Sequence, residues 1–341
     1  MRPTVSVIVP CYNEEKTIHL LLSSILEQTW PVNDLEVIIA DGLSSDGTRA
    51  KIMEFQNANP ELGIQVVENP KRSIPAALNT ALECAQGEYI VRLDAHSRPD
   101  ENYIERCLAD LRHRQVEMVG GIWKIYPGSE GWMARSIACA AAHPLGVGDA
   151  LYRYTDRAAL VDTVPFGAYR RDLLEKIGQY DESLLTNEDY EFNTRIRQAG
   201  GRIWLNPKIQ SVYYARSSLS ALAKQYWRYG YWKYRMLRRY PQTLRWRQAI
   251  PPLFVISVAG LCFLAVFWQL ARVLLLLEIG LYLLVLLIGA IKPSRQLQDP
   301  RLLIGIPLAI ATMHFAWGAG FLGSMVKSFS RNSSEKAYDQ E

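Results

Sequence analysis

Four short apolar runs occupy the first hundred residues, and each is followed by a polar loop or a helical pattern. The runs cover residues 4–9, 35–40, 64–68 and 88–93 and are rich in Val, Ile and Leu. Apolar residues at helical spacing follow, for example over residues 16–27 and 75–85. Continuous apolar strands that alternate with helices indicate a parallel sheet covered on both faces. We therefore predict an α/β fold with a Rossmann-like, mostly parallel sheet.

Polar loops follow three of these strands, at the sheet edge where ligands bind in open α/β folds. The loops are PCYNEE from Pro10, DGLSSDGT from Asp41 and DAHSRPD from Asp94. The chain contains neither GxGxxG after its first strand nor GxxxxGK[ST], which argues against a dinucleotide-binding Rossmann domain and a P-loop. The acidic and hydrogen-bonding side chains of the loops suit ribose hydroxyls, a base edge and a cation that bridges a diphosphate.

Asp94 and His96 are the candidate ligands of that cation. A carboxylate and an imidazole two residues apart, just after a strand, can bind one divalent cation. A second interpretation is that Asp94 belongs to a capping loop before the helix that follows Pro99. The pair alone does not decide between these interpretations.

The carboxyl-terminal part has the composition of a membrane segment. Three apolar stretches, about 251–268, 273–291 and 302–326, approach or exceed the roughly 20 residues that cross a bilayer. They contain Glu278 and His314, and ionisable groups inside a membrane are functional candidates by default. We predict three transmembrane helices, with a polar tail at 328–341 on the outer side.

A basic and aromatic stretch, 216–249, precedes the first apolar stretch. No Asp or Glu occurs from Phe192 to Leu277, whereas fourteen Lys or Arg residues do. Nucleic-acid-binding proteins also combine basic and aromatic residues, but the adjacent spans favour an interfacial collar at a membrane. Five scattered cysteines indicate neither disulfides nor a zinc site, and we expect residues 1–215 to be cytoplasmic.

Five segments in order resemble the motif set of the family 2 inverting glycosyltransferases with the GT-A fold. They are PCYNEE, DGLSSDGT, LDAH, NEDYEFNTRIRQAGG and QYWRY. The DAH variant, the segment 164–182 and the apolar end are most similar to membrane-bound exopolysaccharide glycosyltransferases of the succinoglycan-biosynthesis type. The resemblance covers residues 3–240.

This resemblance implies a role for each matching residue. Donor-binding residues would be Pro10, Tyr12, Asn13, Glu14, Asp41 and Asp94, and metal ligands for Mn²⁺ or Mg²⁺ would be Asp94 and His96. Asp189 would be the catalytic base, and acceptor or diphosphate contacts would come from Glu188, Arg170, Gln225 and Arg228. Glu188 and Asp189 also suit the first turn of a helix at 187–199, where acids complement the helix dipole. Gln225 and Arg228 likewise suit an interfacial helix without a catalytic role.

The expected activity is transfer of a hexose, glucose in the first instance, from a UDP-sugar to a polyprenyl-diphosphate-linked saccharide at the inner membrane. Membrane lipids and other exopolysaccharide-assembly proteins are the expected partners, and nucleic acid is not. The alternatives are a polyprenyl-phosphate sugar synthase, a processive polysaccharide synthase and a catalytically silent sugar-nucleotide-binding scaffold. In QxxRY, Tyr229 stands where the motif has Trp, and glycine stands at position 42 where many members have Asp.

Overall fold

The computed structural model describes residues 3–243 and 245–338, except for the side chains of Gln242, Trp246, Arg247 and residues 330–338. The chain forms two compact units. The first consists of Met1–Lys124 and Ala150–Tyr213, and the second of Ile125–Asp149 and Tyr214–Glu341. Positions 339–341 of the predicted tail and the side chains of Trp246 and Arg247 in the predicted collar lie outside the described residues.

One sheet forms the centre of the first unit. Its strands are β1 (Val5–Cys11), β2 (Leu35–Asp41), β3 (Gly63–Glu68), β4 (Tyr89–Arg92), β5 (Arg98–Pro99), β6 (Met118–Tyr126), β7 (Ala159–Val161), β8 (Ala168–Arg170) and β9 (Ile203–Tyr214). The order is β3-β2-β1-β4-β8-β6-β9-β5, and β7 pairs with β9. Strands β1 to β4 pair in parallel, whereas β8 is antiparallel to both β4 and β6. The predicted α/β class is confirmed. The four predicted strands are the parallel part of a mixed sheet.

Twelve α-helices are present in the described residues. They are α1 (Ile18–Leu26), α2 (Thr48–Ala58), α3 (Ile74–Cys84), α4 (Tyr103–His113), α5 (Trp132–Ala141), α6 (Pro144–Val147), α7 (Leu173–Ile177), α8 (Glu188–Gln198), α9 (Leu219–Arg239), α10 (Trp246–Leu264), α11 (Gln269–Gln296) and α12 (Leu302–Tyr338). In α1, apolar residues at i, i+3, i+4 and i+7 form the buried face. Helix α3 has Pro75 in its first turn, where the missing N–H of proline costs no hydrogen bond.

The apolar core lies on both faces of the sheet. Val5, Val7 and Val9 of β1 are packed in one cluster, and Ile8 of the same strand lies in the other. Successive side chains of a strand point to opposite faces, so both faces of this strand are buried. The continuous apolar runs in the sequence follow from this double burial.

The register brings the carboxyl ends of β1, β2 and β3 to one edge of the sheet. Cys11 pairs with Asp41, and Asp41 pairs with Glu68. β4 pairs with β1 in parallel, with Ile8 opposite Arg92. The loops after these strands therefore begin side by side, as the sequence predicted.

The second unit consists of α5, α6 and α9 to α12. Helices α11 and α12 contain stretches long and apolar enough to cross a membrane, Gln269–Gln296 and Leu302–Phe329. The apolar part of α10, Gln248–Leu264, is shorter, because the chain turns at 265–268 before α11 begins. In the described residues, two of the three predicted spans therefore have a sufficient helix, and the first does not.

Residues 125–149 lie within the stretch 1–215 that was expected to be cytoplasmic, but they belong to the second unit. Here α5 packs against α12, where a Cβ on Gly305 would lie 2.0 Å from Ser136 Oγ. Arg135 of α5 also forms an ion pair with Asp299, with 3.2 Å between Nη2 and Oδ2.

Both ionisable residues that the sequence analysis placed inside the membrane have polar partners. Glu278 accepts a hydrogen bond from Ser257 Oγ at 2.9 Å, between α10 and α11. His314 Nε2 lies 2.8 Å from the carbonyl oxygen of Leu145, and its Nδ1 lies 3.0 Å from Tyr282 Oη. Because a carbonyl only accepts, Nε2 carries the proton. These contacts tie helices of the second unit together.

Candidate active site

A buried arginine joins the end of β4 to the first turn of α8. Arg92 is the last residue of β4 and is 3% exposed. Its Nη2 lies 2.9 Å from Asp94 Oδ1 and 3.3 Å from Glu188 Oε1. Its Nη1 forms an ion pair with Asp189 Oδ1. A single guanidinium therefore contacts the predicted metal-binding carboxylate, the predicted base and Glu188.

Burial raises the pKa of both Glu188 and Asp189 in α8, but the two side chains differ in exposure. Burial raises the pKa of the Glu188 carboxyl to about 8, the neighbouring Asp189 adds to the increase, and Arg92 opposes it. Burial also raises the pKa of Asp189, against the opposing effect of Arg92. The side chain of Asp189 is nevertheless 31% exposed, whereas that of Glu188 is 9% exposed. Asp189 is thus the more accessible acid of this pair.

Glu188→Gln is expected to flatten the pH dependence of stability. The folded-state pKa of Glu188 exceeds its ordinary value, so the ionised carboxylate destabilises the fold. Protonated Glu188 therefore contributes stability that is fully present below about pH 4.5 and is lost as the pH rises through about 8. The thermal midpoint of the unchanged protein should therefore fall across that range more steeply than that of the variant. Thermal unfolding in a pH series measures both slopes, and equal slopes would contradict the assignment.

Five of the described non-glycine residues in the first unit have positive φ angles, and all lie in segments that connect strands and helices. They are Asn13 (55°), Leu43 (59°), Arg72 (51°), Phe166 (49°) and Asn187 (70°). Such backbone costs about 1–3 kcal/mol at residues such as Leu43, Arg72 and Phe166, and less at asparagine, and strained residues cluster at functional sites. Asn187 immediately precedes the two acids of α8, and the Phe166 ring centroid lies 5.6 Å from Arg92 Cζ.

The loops after β1 and β2 are bonded to each other. The Asn13 backbone N–H donates to Ser44 Oγ at 2.8 Å, and Ser45 N–H donates to Asn13 Oδ1 at 2.9 Å. The Glu14 N–H donates to Thr48 Oγ1 at 2.8 Å. Pro10, the penultimate residue of β1, pairs with Ala40.

Asp41 is completely buried and already has three donors. Its carboxylate accepts from Ser44 N–H at 3.1 Å, from Ser44 Oγ at 2.5 Å and from Arg49 Nε at 2.5 Å. Asp41 therefore organises the loop that follows it. Its role towards a nucleotide stays a prediction.

The glycine at position 42 packs closely against the side chain of Tyr12. A Cβ there would lie 3.1 Å from Tyr12 Cδ2, so a larger residue would require the Tyr12 side chain to move by a few tenths of an ångström. Tyr12 is 46% exposed, and Arg72 Cζ lies 5.8 Å from its ring centroid. An exposed aromatic ring with an arginine beside it can contact a nucleobase.

His96 contacts Glu14. Nδ1 of His96 lies 2.9 Å from Glu14 Oε1, and Thr17 Oγ1 donates to the other carboxylate oxygen of Glu14. Asp94, by contrast, pairs with Arg92. No group of three or more His, Cys, Asp or Glu side chains that could hold a metal occurs among the residues that the structure describes. The predicted sharing of one cation by Asp94 and His96 stays a prediction.

Arg170, Gln225 and Arg228 are the remaining predicted site residues. Arg170 on β8 is half exposed and pairs with Glu88 at 2.9 Å and Asp172 at 3.4 Å. Gln225 and Arg228 lie on α9 in the second unit, where Gln225 Nε2 donates to Tyr229 Oη at 2.8 Å. Their predicted contacts with an acceptor or a diphosphate stay predictions.

The predicted site residues did not include Arg92, Arg49 or Arg72. A signal existed for Arg92 alone, because a charged residue within an apolar strand needs a buried partner. Arg49 and Arg72 have no comparable signal, because both are at least partly exposed and their contacts depend on the loop conformations.

Comparisons with known proteins agree with this fold. The model of the Glycosyl transferase family 2 matches residues 6–178, just over half of the chain. A Methanococcus voltae protein named dolichyl N-acetyl-alpha-D-glucosaminyl phosphate 3-beta-D-2,3-diacetamido-2,3-dideoxy-beta-D-glucuronosyltransferase is 27% identical over 96% of this chain and 98% of its own. The succinoglycan biosynthesis protein ExoA of Rhizobium meliloti (strain 1021) is 29% identical over 92% of this chain and 93% of its own.

A solved structure has the same fold. The mannosyltransferase PcManGT from Pyrobaculum calidifontis, in complex with GDP-Man and Mn²⁺, superposes with a TM-score of 0.65 at 22% identity. The match covers 92% of this chain and 87% of that protein. The first unit thus has a GT-A-like fold, followed by carboxyl-terminal helices, and the chain belongs to glycosyl transferase family 2.

Proposed function

We propose that the protein transfers a hexose from a UDP-sugar to a lipid-linked saccharide, with inversion at the anomeric carbon. Glucose is the first candidate for this hexose. The observation that carries the proposal is the cluster of Arg92 with Asp94, Glu188 and Asp189. It lies where the family motifs predict the donor diphosphate and the base. A cluster of three carboxylates around the buried Arg92 guanidinium is costly for a purely structural site, which favours a catalytic role.

Asp189 is the proposed base. An acceptor hydroxyl must lose its proton as its oxygen attacks the anomeric carbon, and a carboxylate within hydrogen-bond reach can accept that proton. Asp189 meets this demand because its side chain is partly exposed and its neighbour Arg92 favours the ionised form. Glu188 is more deeply buried, and its raised pKa suits a positioning role better than a base.

A divalent cation, Mn²⁺ or Mg²⁺, is part of the proposal. Asp94 and His96 provide one carboxylate and one imidazole, with side chains 22% and 52% exposed. This donor set fits a cation that takes its other ligands from a sugar-nucleotide diphosphate and water, and the imidazole favours Mn²⁺. When bound, the cation would offset negative charge on the leaving diphosphate.

A lipid-linked acceptor gives a physical reason for the second unit. Helices α11 and α12 would hold the protein in the inner membrane, with residues 1–215 on the cytoplasmic side and 216–249 as an interfacial collar. Two relatives support this kind of acceptor or product, because one is named for a dolichyl phosphate-linked substrate and the other for succinoglycan biosynthesis. Confining enzyme and acceptor to one plane would raise their encounter rate.

The test is nucleotide release by the detergent-solubilised protein with a panel of UDP-sugars and GDP-mannose. Each donor is offered with Mn²⁺ or Mg²⁺, with and without a bacterial lipid extract. We expect lipid-dependent release of UDP from one donor, greater with Mn²⁺. Release from GDP-mannose alone would overturn the UDP assignment. Polymer formed without added lipid would favour a processive synthase, and no release from any donor would favour the catalytically silent scaffold.

A further inference from the structure

We propose that Arg92 is a positioning residue that fixes Asp189 relative to Asp94. This role rests on the proposed function, because it matters only if Asp189 is the base and Asp94 lies on the donor side. The two acids come from different elements, the loop after β4 and the first turn of α8. Among the side-chain contacts described above, Arg92 is the one residue that touches both.

The two terminal nitrogens of the Arg92 guanidinium contact Asp94 and Asp189. Nη2 donates to Asp94 and Glu188, Nη1 forms an ion pair with Asp189 without hydrogen-bond geometry, and Nε has no hydrogen-bond partner. Since the guanidinium is planar and rigid, the separation of its nitrogens fixes the spacing between the carboxylates. The orientation of Asp189 therefore depends on Arg92, and not only on the backbone of α8.

The surroundings of Arg92 limit its movement. Its backbone N–H donates to the Gly167 carbonyl oxygen at 3.1 Å, and the Phe166 ring lies against its guanidinium. Phe166 is itself fixed, because its carbonyl oxygen accepts from Tyr103 Oη at 2.7 Å. The guanidinium thus has a defined place between an aromatic ring and three carboxylates.

A lysine at this position would keep the charge and lose the geometry. An ammonium is a point charge on a flexible stem, so it cannot hold two carboxylates at the spacing that the guanidinium sets. A misplacement of the base by about 1 Å can reduce the rate about 100-fold. Arg92→Lys should therefore lower kcat about 100-fold and change KM for the donor little.

Arg195→Lys is the matched control. Arg195 lies on α8 too, and it pairs with the buried Glu191 through contacts of 2.7 and 2.8 Å. The same substitution there should lower stability and leave kcat near that of the unchanged protein. An Arg92→Lys variant with unchanged kcat would overturn the proposal. A loss confined to KM, or an equal loss of kcat in Arg195→Lys, would overturn it as well.

A thermal unfolding cycle on the same samples separates this proposal from the proposed function. The thermal midpoint is measured for the unchanged protein, for Asp189→Asn, for Arg92→Lys and for the variant that carries both substitutions. If the two residues hold each other, their shifts in thermal midpoint are non-additive, even if no donor is turned over. Additive shifts would overturn the positioning role. Absence of turnover in the unchanged protein, together with non-additive shifts, would count against the proposed function alone.

Discussion

Asp189→Asn is expected to lower kcat by about 10²–10⁴-fold while UDP binding stays nearly unchanged. The amide keeps the size of the side chain and its place beside Arg92, but it cannot accept the proton of an acceptor hydroxyl. Burial raises the pKa of Asp189, so acidification should lower kcat of the unchanged protein by protonating the same carboxylate. Nucleotide release gives kcat, and calorimetric titration with UDP and Mn²⁺ gives the affinity.

Asp156→Asn is the control for this experiment. Asp156 belongs to the first unit, its side chain is 96% exposed, and its ion pair with Arg157 is long at 4.0 Å. Its replacement should leave both kcat and UDP affinity unchanged. Full activity of Asp189→Asn would reject Asp189 as the base. Loss of UDP affinity equal to the loss of rate would assign Asp189 to donor binding.

Gly230→Ala is expected to destabilise the second unit strongly. A Cβ on Gly230 of α9 would lie 2.0 Å from the carbonyl oxygen of Trp317 in α12. On the other side of the same contact, a Cβ on Gly320 would lie 2.1 Å from the carbonyl oxygen of Trp227. The two backbones touch, so neither helix can admit a methyl group without moving. Overpacking costs about 1–3 kcal/mol, and here the atoms met are backbone atoms, which do not move aside as a side chain can.

Gly260→Ala provides the comparison. Gly260 lies in α10, and a Cβ there would meet nothing within 4 Å. Both variants replace glycine by alanine within a helix, so they share the gain in helix propensity. We expect a lower thermal midpoint and less monodisperse protein in detergent for Gly230→Ala only. Equal behaviour of the two variants would show that the α9 and α12 contact does not limit stability.

Local sequence patterns were sufficient for the parallel half of the sheet and its edge. Each of those strands is a continuous apolar run that ends at a polar loop, so both its position and the location of the binding edge follow from short segments. The antiparallel strands are different. β7 and β8 have three residues each, too short for any periodicity, and their places in the sheet depend on pairing with distant strands.

The candidate site combines local and long-range information. Asp189 was identified from a motif, but its approach to Arg92 joins residues 97 positions apart, and no local pattern indicates that contact. The contact of His96 with Glu14 likewise depends on how two loops fold against each other. In the carboxyl-terminal part, hydropathy located the apolar stretches, whereas the turn at 265–268 shortened the first of the three helices.

The left-handed backbone at Leu43, Arg72 and Phe166 limits how far the thermal stability of this enzyme can be raised without affecting its activity. Leu43, Arg72 and Phe166 adopt a conformation that suits glycine or asparagine, so the native sequence gives up folding free energy there. Replacements that relieve such strain are a common source of thermal stability, but here they would alter the loops after β2 and β3 and the segment that packs against Arg92. Selection for heat tolerance and selection for turnover should therefore act on the same few positions in opposite directions.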